Sequence, residues 1–218
     1  NYKNLIDPET GYMRGKDSNG NWRDPFAPIA YQGPNSVHGW GDITEGFTMQ
    51  YTWTVPHDFG GYGEKAGRKL LQSRLDSLFT IELPEDIPGA HDIWGRIGGY
   101  WHGNEPCHHV TYLYNWFGQP WKCQKWVRYI ADNFYGNEPG SLSGNDDCGQ
   151  MSAWYIFNGL GFYPFCPGSD EYYIGSPCVP GLKVRLSDGG TLEMTTEGWS
   201  KDAVYIKAAY LNGKRLVS

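Results

Sequence analysis

The sequence predicts a mainly helical chain that gives way to antiparallel strands, with the change of character near residues 164–170. Three observations lead there. Apolar residues recur at helical spacing over 64–78, at Ala66, Leu70, Leu71, Leu75 and Leu78. Beyond Pro164 the apolar runs become short and strand-like, and Asp188-Gly189 and Asn212-Gly213 stand among them as hairpin turns. Glycine and proline are abundant, 30 and 14 in 218 residues, so long loops join the elements.

Taken in order, residues 1–46 read as structured loop, with turn signals at Asp24-Pro25 and Gly33-Pro34-Asn35. A helix is expected over 47–53 and another over 64–78. Pro84 and Pro88 make 81–90 a loop. Helices over 109–116 and 120–134 are split by Gly118-Gln119-Pro120, and 135–147 is a polar, glycine-rich loop. A last helix spans 151–160, with Gly159 and Gly161 suited to its C-terminal cap. Residues 164–167 break the helical pattern, and short strands are expected over 172–174, 183–186, 191–195 and 204–208. Gly-Asn-Glu-Pro occurs at 103–106 and 136–139 with no period between, so no repeat architecture follows.

Composition narrows the function. The formal charge is −6 and no basic run exists, which argues against nucleic acid as a partner. No stretch of about 18 apolar residues is present, so no membrane span is expected. No signal peptide is visible, and the chain opens at Asn1 without a Met, which reads as an excised piece or a mature fragment. Five cysteines (Cys107, Cys123, Cys148, Cys166, Cys178) form no CxxC pair, against a zinc ribbon or thioredoxin-type site. Aromatic residues make up 16% of the chain, including 10 Trp, more than core packing needs, which raises sugar-stacking surfaces as a use for some of them.

Charged residues are only 19% of the chain, yet acids and histidines crowd three loops. The first holds Thr44-Glu45-Gly46 and, further on, Val55-Pro56-His57-Asp58. The second is the run from Trp101 to His109, Trp-His-Gly-Asn-Glu-Pro-Cys-His-His. The third is Gly144-Asn145-Asp146-Asp147-Cys148-Gly149-Gln150. Singly, each has a structural use: 145–147 can cap the helix that follows, and the histidines can be buried and hydrogen-bonded. Together they point to a site built on loops over a helical scaffold. Glu45, Asn104, Glu105, Asp146 and Asp147 are hard oxygen donors, which suit calcium; His102, His108 and His109 raise zinc, but their spacing matches no common zinc motif. Carboxylates in separate loops, with aromatic residues about them, suit glycoside hydrolysis. No GxSxG elbow or GxGxxG fingerprint appears, against a serine hydrolase or a dinucleotide enzyme.

At these clusters the sequence resembles glycoside hydrolase family 92, the calcium-dependent exo-α-mannosidases. The resemblance rests on ordered segments: Asp7-Pro8-Glu9-Thr10-Gly11, Thr44-Glu45-Gly46 with Gln50-Tyr51-Thr52-Trp53, Val55-Pro56-His57-Asp58, His102-Gly103-Asn104-Glu105-Pro106 with His108-His109, Gly118-Gln119-Pro120-Trp121, Gly144-Asn145-Asp146-Asp147-Cys148-Gly149-Gln150 and Gly161-Phe162-Tyr163-Pro164. It implies that 1–165 is the second half of an (α/α)6 toroid and 166–218 the beginning of a C-terminal β-sandwich-like region. An N-terminal domain is then an expected partner, on the same polypeptide or a separate chain.

The implied activity is removal of terminal α-linked mannose from glycans, N-glycans among them, with inversion and with Ca2+, in a secreted or periplasmic protein. By the same resemblance Glu45 is the general acid and Asp147 the general base, with Asn145 standing where some members carry a second carboxylate. His57, Asp58, Trp101, His102 and Asp146 are expected to contact substrate, and Asn104 and Glu105 to ligate calcium. Phe47-Thr48-Met49 departs from the family's more usual Asn-Ala-Trp, and the loop 33–41 is unusual, both near the acid. The rival readings are a non-catalytic carbohydrate-binding piece and a toroid glycosidase for another sugar.

Overall fold

A computed structural model of the chain describes residues 1–32, 41–84, 87 and 94–216. The turn at Gly33-Pro34-Asn35, the loop 33–41 apart from Gly41, and the Pro88 end of the loop 81–90 lie outside the described residues. The chain forms two compact units, Asn1–His108 with Ser143–Asn145, and His109–Leu142 with Asp146–Ser218.

In the first unit, α1 (Thr48–Tyr51), α2 (Phe59–Ala66) and α3 (Arg68–Thr80) precede a short hairpin of β1 (Arg96–Ile97) and β2 (Tyr100–Trp101). The helix expected over 64–78 is therefore two. Gly67 breaks it, with φ 92 and ψ 117, a conformation that a residue with a Cβ rarely adopts. The apolar stripe is real on the second of the two helices: Leu71, Leu75 and Leu78 are fully buried. Each such side chain contributes about 1.5–3 kcal/mol through burial. They share the core with Phe47, Trp53, Tyr62, Tyr100 and Trp101. α2 starts at Asp58, whose carboxylate accepts from Gly61 N–H at 3.0 Å, an N-terminal cap.

In the second unit a 3-10 turn (Val110–Tyr112) runs into α4 (Leu113–Trp116), followed by α5 (Pro120–Asn133) and α6 (Gln150–Leu160). Pro120 opens α5, where its missing N–H costs nothing, and Gly161 closes α6 in the left-handed conformation. After α6 the described elements are all strands, in antiparallel pairs: β3 (Phe162–Tyr163) with β4 (Tyr173–Ile174), β5 (Gly181–Arg185) with β6 (Thr191–Thr195), and β7 (Tyr210–Leu211) with β8 (Lys214–Arg215). The hairpin turns at Asp188-Gly189 and Asn212-Gly213 fall where expected, and Asn212 and Gly213 both have positive φ, as a primed turn requires.

The strand expected over 204–208 does not form. Its backbone groups are taken by side chains instead: Ser176 Oγ donates to Val204 O at 2.6 Å, and Ile206 N–H donates to Gln124 Oε1 at 3.1 Å. The buried Arg128 of α5 donates to Ser176 Oγ and to the carbonyls of Pro177 and Lys201, which fastens this segment to the helix. All five cysteines are free thiols. No helix among the described residues is long and apolar enough to cross a membrane.

Candidate active site

Glu45 is exposed, and it stands just ahead of α1. The next residue, Gly46, exchanges both backbone hydrogen bonds with Gln32, at 2.7 and 3.1 Å. Glu45 itself has φ 56. The left-handed region costs a residue with a Cβ about 1–2 kcal/mol, so something must hold it there. Its carbonyl accepts from Asn104 Nδ2 at 2.8 Å, and the same amide nitrogen donates to Tyr51 Oη at 3.3 Å.

Asn104 belongs to a segment anchored from two sides. His102 N–H donates to Gly95 O at 2.9 Å, and Gly103 N–H to Trp94 O at 3.1 Å. Trp94 N–H in turn donates to Ser143 O at 3.0 Å. The run that leads to Asn145 is thus tied by backbone bonds to the run that bears Asn104 and Glu105. Gly103 is there because nothing larger fits: a Cβ would lie 1.9 Å from Ser143 O and 2.8 Å from Trp94 O.

Trp101 and His102 are fully buried in the first unit. Trp101 stacks on Tyr31 and meets the edge of Phe47 at 5.1 Å. His102 Nδ1 bonds the Tyr100 hydroxyl at 2.9 Å, and its ring stacks on His108 at 4.7 Å. Burial, and secondarily His108, holds the His102 pKa well below the ordinary imidazole value, so the ring is neutral. His108 Nε2 bonds the His102 carbonyl at 3.0 Å. His109, in the second unit, packs edge-on against Phe165 at 5.6 Å.

In the second unit Asp146 Oδ1 accepts from both the backbone N–H and the hydroxyl of Ser152, at 2.9 and 3.0 Å. It thereby satisfies an otherwise unpaired N–H in the first turn of α6, whose N-cap position is Gly149. Asp147 is exposed, and the backbone from Asp147 through Cys148 to Gly149 is left-handed three times running, with φ 44, 58 and 90. Among the described residues, those other than glycine with positive φ are Glu45, Asp147, Cys148 and Asn212. Asn212 serves a hairpin turn. The other strained backbone falls on the two carboxylates singled out by their motifs and on the neighbour of one. Such strain, about 1–3 kcal/mol at each residue, persists only where the surroundings enforce it, and it gathers at functional sites.

His57 is exposed, its ring edge-on to Tyr2 at 5.8 Å. Asp58 is committed to the fold. Besides capping α2 it accepts from the Tyr2 hydroxyl at 2.6 Å and pairs with Lys3 at 3.1 Å. The Tyr2 hydroxyl, with Lys3, lowers its pKa to about 2. The clamp of Asn104 on Glu45 carried no mark in the sequence, because it joins residues 59 apart.

A model of the glycosyl hydrolase family 92 catalytic domain matches residues 1–218. The chain is 67% identical to a family GH92 alpha-mannosidase from Bacteroides thetaiotaomicron solved in complex with mannoimidazole, with a TM-score of 0.96 over 99% of this chain and 28% of that one. It is 37% identical to a family GH92 inverting mannosidase from the same organism, with a TM-score of 0.80 over 99% of this chain and 29% of that one. A curated relative from Arthroderma benhamiae, described as an uncharacterized secreted glycosidase, is 27% identical over 98% of this chain and 28% of its own length. The chain spans a little over a quarter of each relative.

Proposed function

The chain belongs to glycosyl hydrolase family 92, and from that premise we propose that it carries the acid, the base and two metal ligands of an inverting exo-α-mannosidase acting on mannose-containing glycans. Its helices are then part of an (α/α)6 toroid, and its last strands open a C-terminal β region. The rest of the site comes from other parts of the complete protein, an N-terminal domain among them, in a secreted or periplasmic setting.

The roles are those that the family resemblance implies. Glu45 gives a proton to the departing glycosidic oxygen, and Asp147 takes one from the water that attacks the anomeric carbon from the opposite face. Inversion also needs room for a water between the base and the sugar. His57 and Asn145, both exposed, offer polar contacts to the sugar.

The residues also fit calcium. Asn104 turns its amide nitrogen toward Glu45 and Tyr51, so its oxygen is the atom left to meet a cation. Glu105 follows at once and opens a 3-10 turn (Glu105–Cys107). Oxygen donors of this kind suit calcium, which takes 6–8 of them, the others coming from water, sugar hydroxyls and the remainder of the protein. When bound, calcium supplies a hard positive centre for the hydroxyls of the terminal mannose.

The observation that carries this reading is the left-handed backbone at both Glu45 and Asp147. The test is mannose release from an aryl α-mannoside by the complete protein. We expect activity that chelation abolishes and calcium restores. Full activity in excess chelator would remove the metal from the proposal. Sugar binding without any mannose release would favour the non-catalytic reading.

A further inference from the structure

Resting on that reading, we propose that Asn104 is a positioning residue for the general acid: its amide nitrogen fixes the backbone of Glu45 while its amide oxygen is the atom that would meet the cation, so one side chain links acid placement to sugar binding.

The hydrogen bonds decide which way the amide points. A backbone carbonyl only accepts, so the atom 2.8 Å from Glu45 O must be the nitrogen. That nitrogen has two hydrogens, and the second meets the Tyr51 hydroxyl. The oxygen is therefore directed away from the acid loop. Asn104 is buried, with 6% of its surface exposed, which makes the bond to Glu45 stronger than a surface contact and its loss more costly.

The need for such a clamp is visible at Glu45. Gly46 is held by Gln32, but Glu45 is the residue in the left-handed region, and its carbonyl is what Asn104 grips. Relaxation to a right-handed or extended conformation would swing the side chain to another direction. A shift of about 1 Å in a catalytic group can cost on the order of 10²-fold in rate. Asn104 is itself fixed, since Cys107 N–H donates to its carbonyl at 3.0 Å and Gly103 beside it is wedged against Ser143.

The test is Asn104→Asp in the complete enzyme. Aspartate keeps the shape and the oxygen for a cation, but presents a carboxylate to the Glu45 carbonyl in place of a donor. On a mannoside with a sugar or alkyl leaving group kcat should fall on the order of 10²-fold. On a dinitrophenyl mannoside, which leaves without protonation, the fall should be less than about tenfold, because only the acid is misplaced. Calcium should still raise the melting temperature of the variant. Tyr51→Phe, which removes the second anchor of the amide and keeps the ring, should show the same split at smaller size, and it serves alone if Asn104→Asp does not fold. Equal losses on the two substrates, no loss on either, or a calcium response that vanishes would overturn the positioning role. Should the wild-type protein release no mannose, it is the mannosidase reading that fails. A split that is missing in an active enzyme removes only this role of Asn104.

Discussion

Glu45→Gln, made in the complete enzyme, should lower kcat on the order of 10²–10⁴-fold for a mannoside whose leaving group needs a proton. Glutamine preserves the size of the side chain and can still form hydrogen bonds, but it has no proton to give. With dinitrophenolate as leaving group the loss should be far smaller, because the anion departs unaided. Asp147→Asn should instead damage both substrates alike, since water must be activated whatever leaves. If Glu45 were only a loop residue, both substrates would suffer equally and modestly. Steady-state rates for the two variants on the two substrates separate these cases. An Asp147→Asn enzyme that retains full rate on either substrate would remove that residue from the mechanism.

Gly103→Ala should be the most destabilising single methyl addition in the first unit. The new carbon would lie 1.9 Å from Ser143 O, 2.8 Å from Trp94 O and 2.9 Å from the Ser143 carbonyl carbon. These are backbone atoms, and the bonds from Trp94 to Ser143 and from Gly103 to Trp94 run through them. They can yield only by parting the segments that bear Asn104 and Asn145, so a cost above about 4 kcal/mol is expected, in the range reserved for specific structural failures. Gly60→Ala is the control. That glycine lies in α2 with nothing near its absent side chain, and alanine there should be neutral or stabilising by about 0.5–1 kcal/mol. Denaturant unfolding of both variants is the measurement. A Gly103→Ala protein as stable as wild type would mean the backbone contact is not as tight as described.

Legibility in the sequence followed the range of the interactions. α5 and α6 were readable because their stops are local: Pro120 begins one, and Gly161 ends the other. The break at Gly67 was hidden, since one glycine interrupts a helical pattern without altering the spacing of Leu71, Leu75 and Leu78. The hairpin of β1 and β2 has strands of two residues, too short to show an alternation. The run 204–208 has strand-like residues but no strand beside it, and Gln124 and Ser176, distant in sequence, take its polar groups. At the site, Glu45 and Asp147 stood out through their ordered motifs. The left-handed backbone of Glu45 did not, because glutamate carries no preference for it. The family resemblance implies Trp101 and His102 as sugar contacts, and their deep burial, through non-local packing against Tyr31, Phe47 and His108, could not be read from the sequence.

The most direct test of Glu45 and Asp147 as acid and base of an inverting mannosidase is the anomer of the first mannose released. Proton NMR of the complete enzyme with an α-mannoside, recorded faster than mutarotation, should show β-mannose first, because water activated by Asp147 attacks the face opposite the leaving group. First appearance of α-mannose would mean retention through a second displacement, and it would contradict the role of Asp147 as the base that activates water.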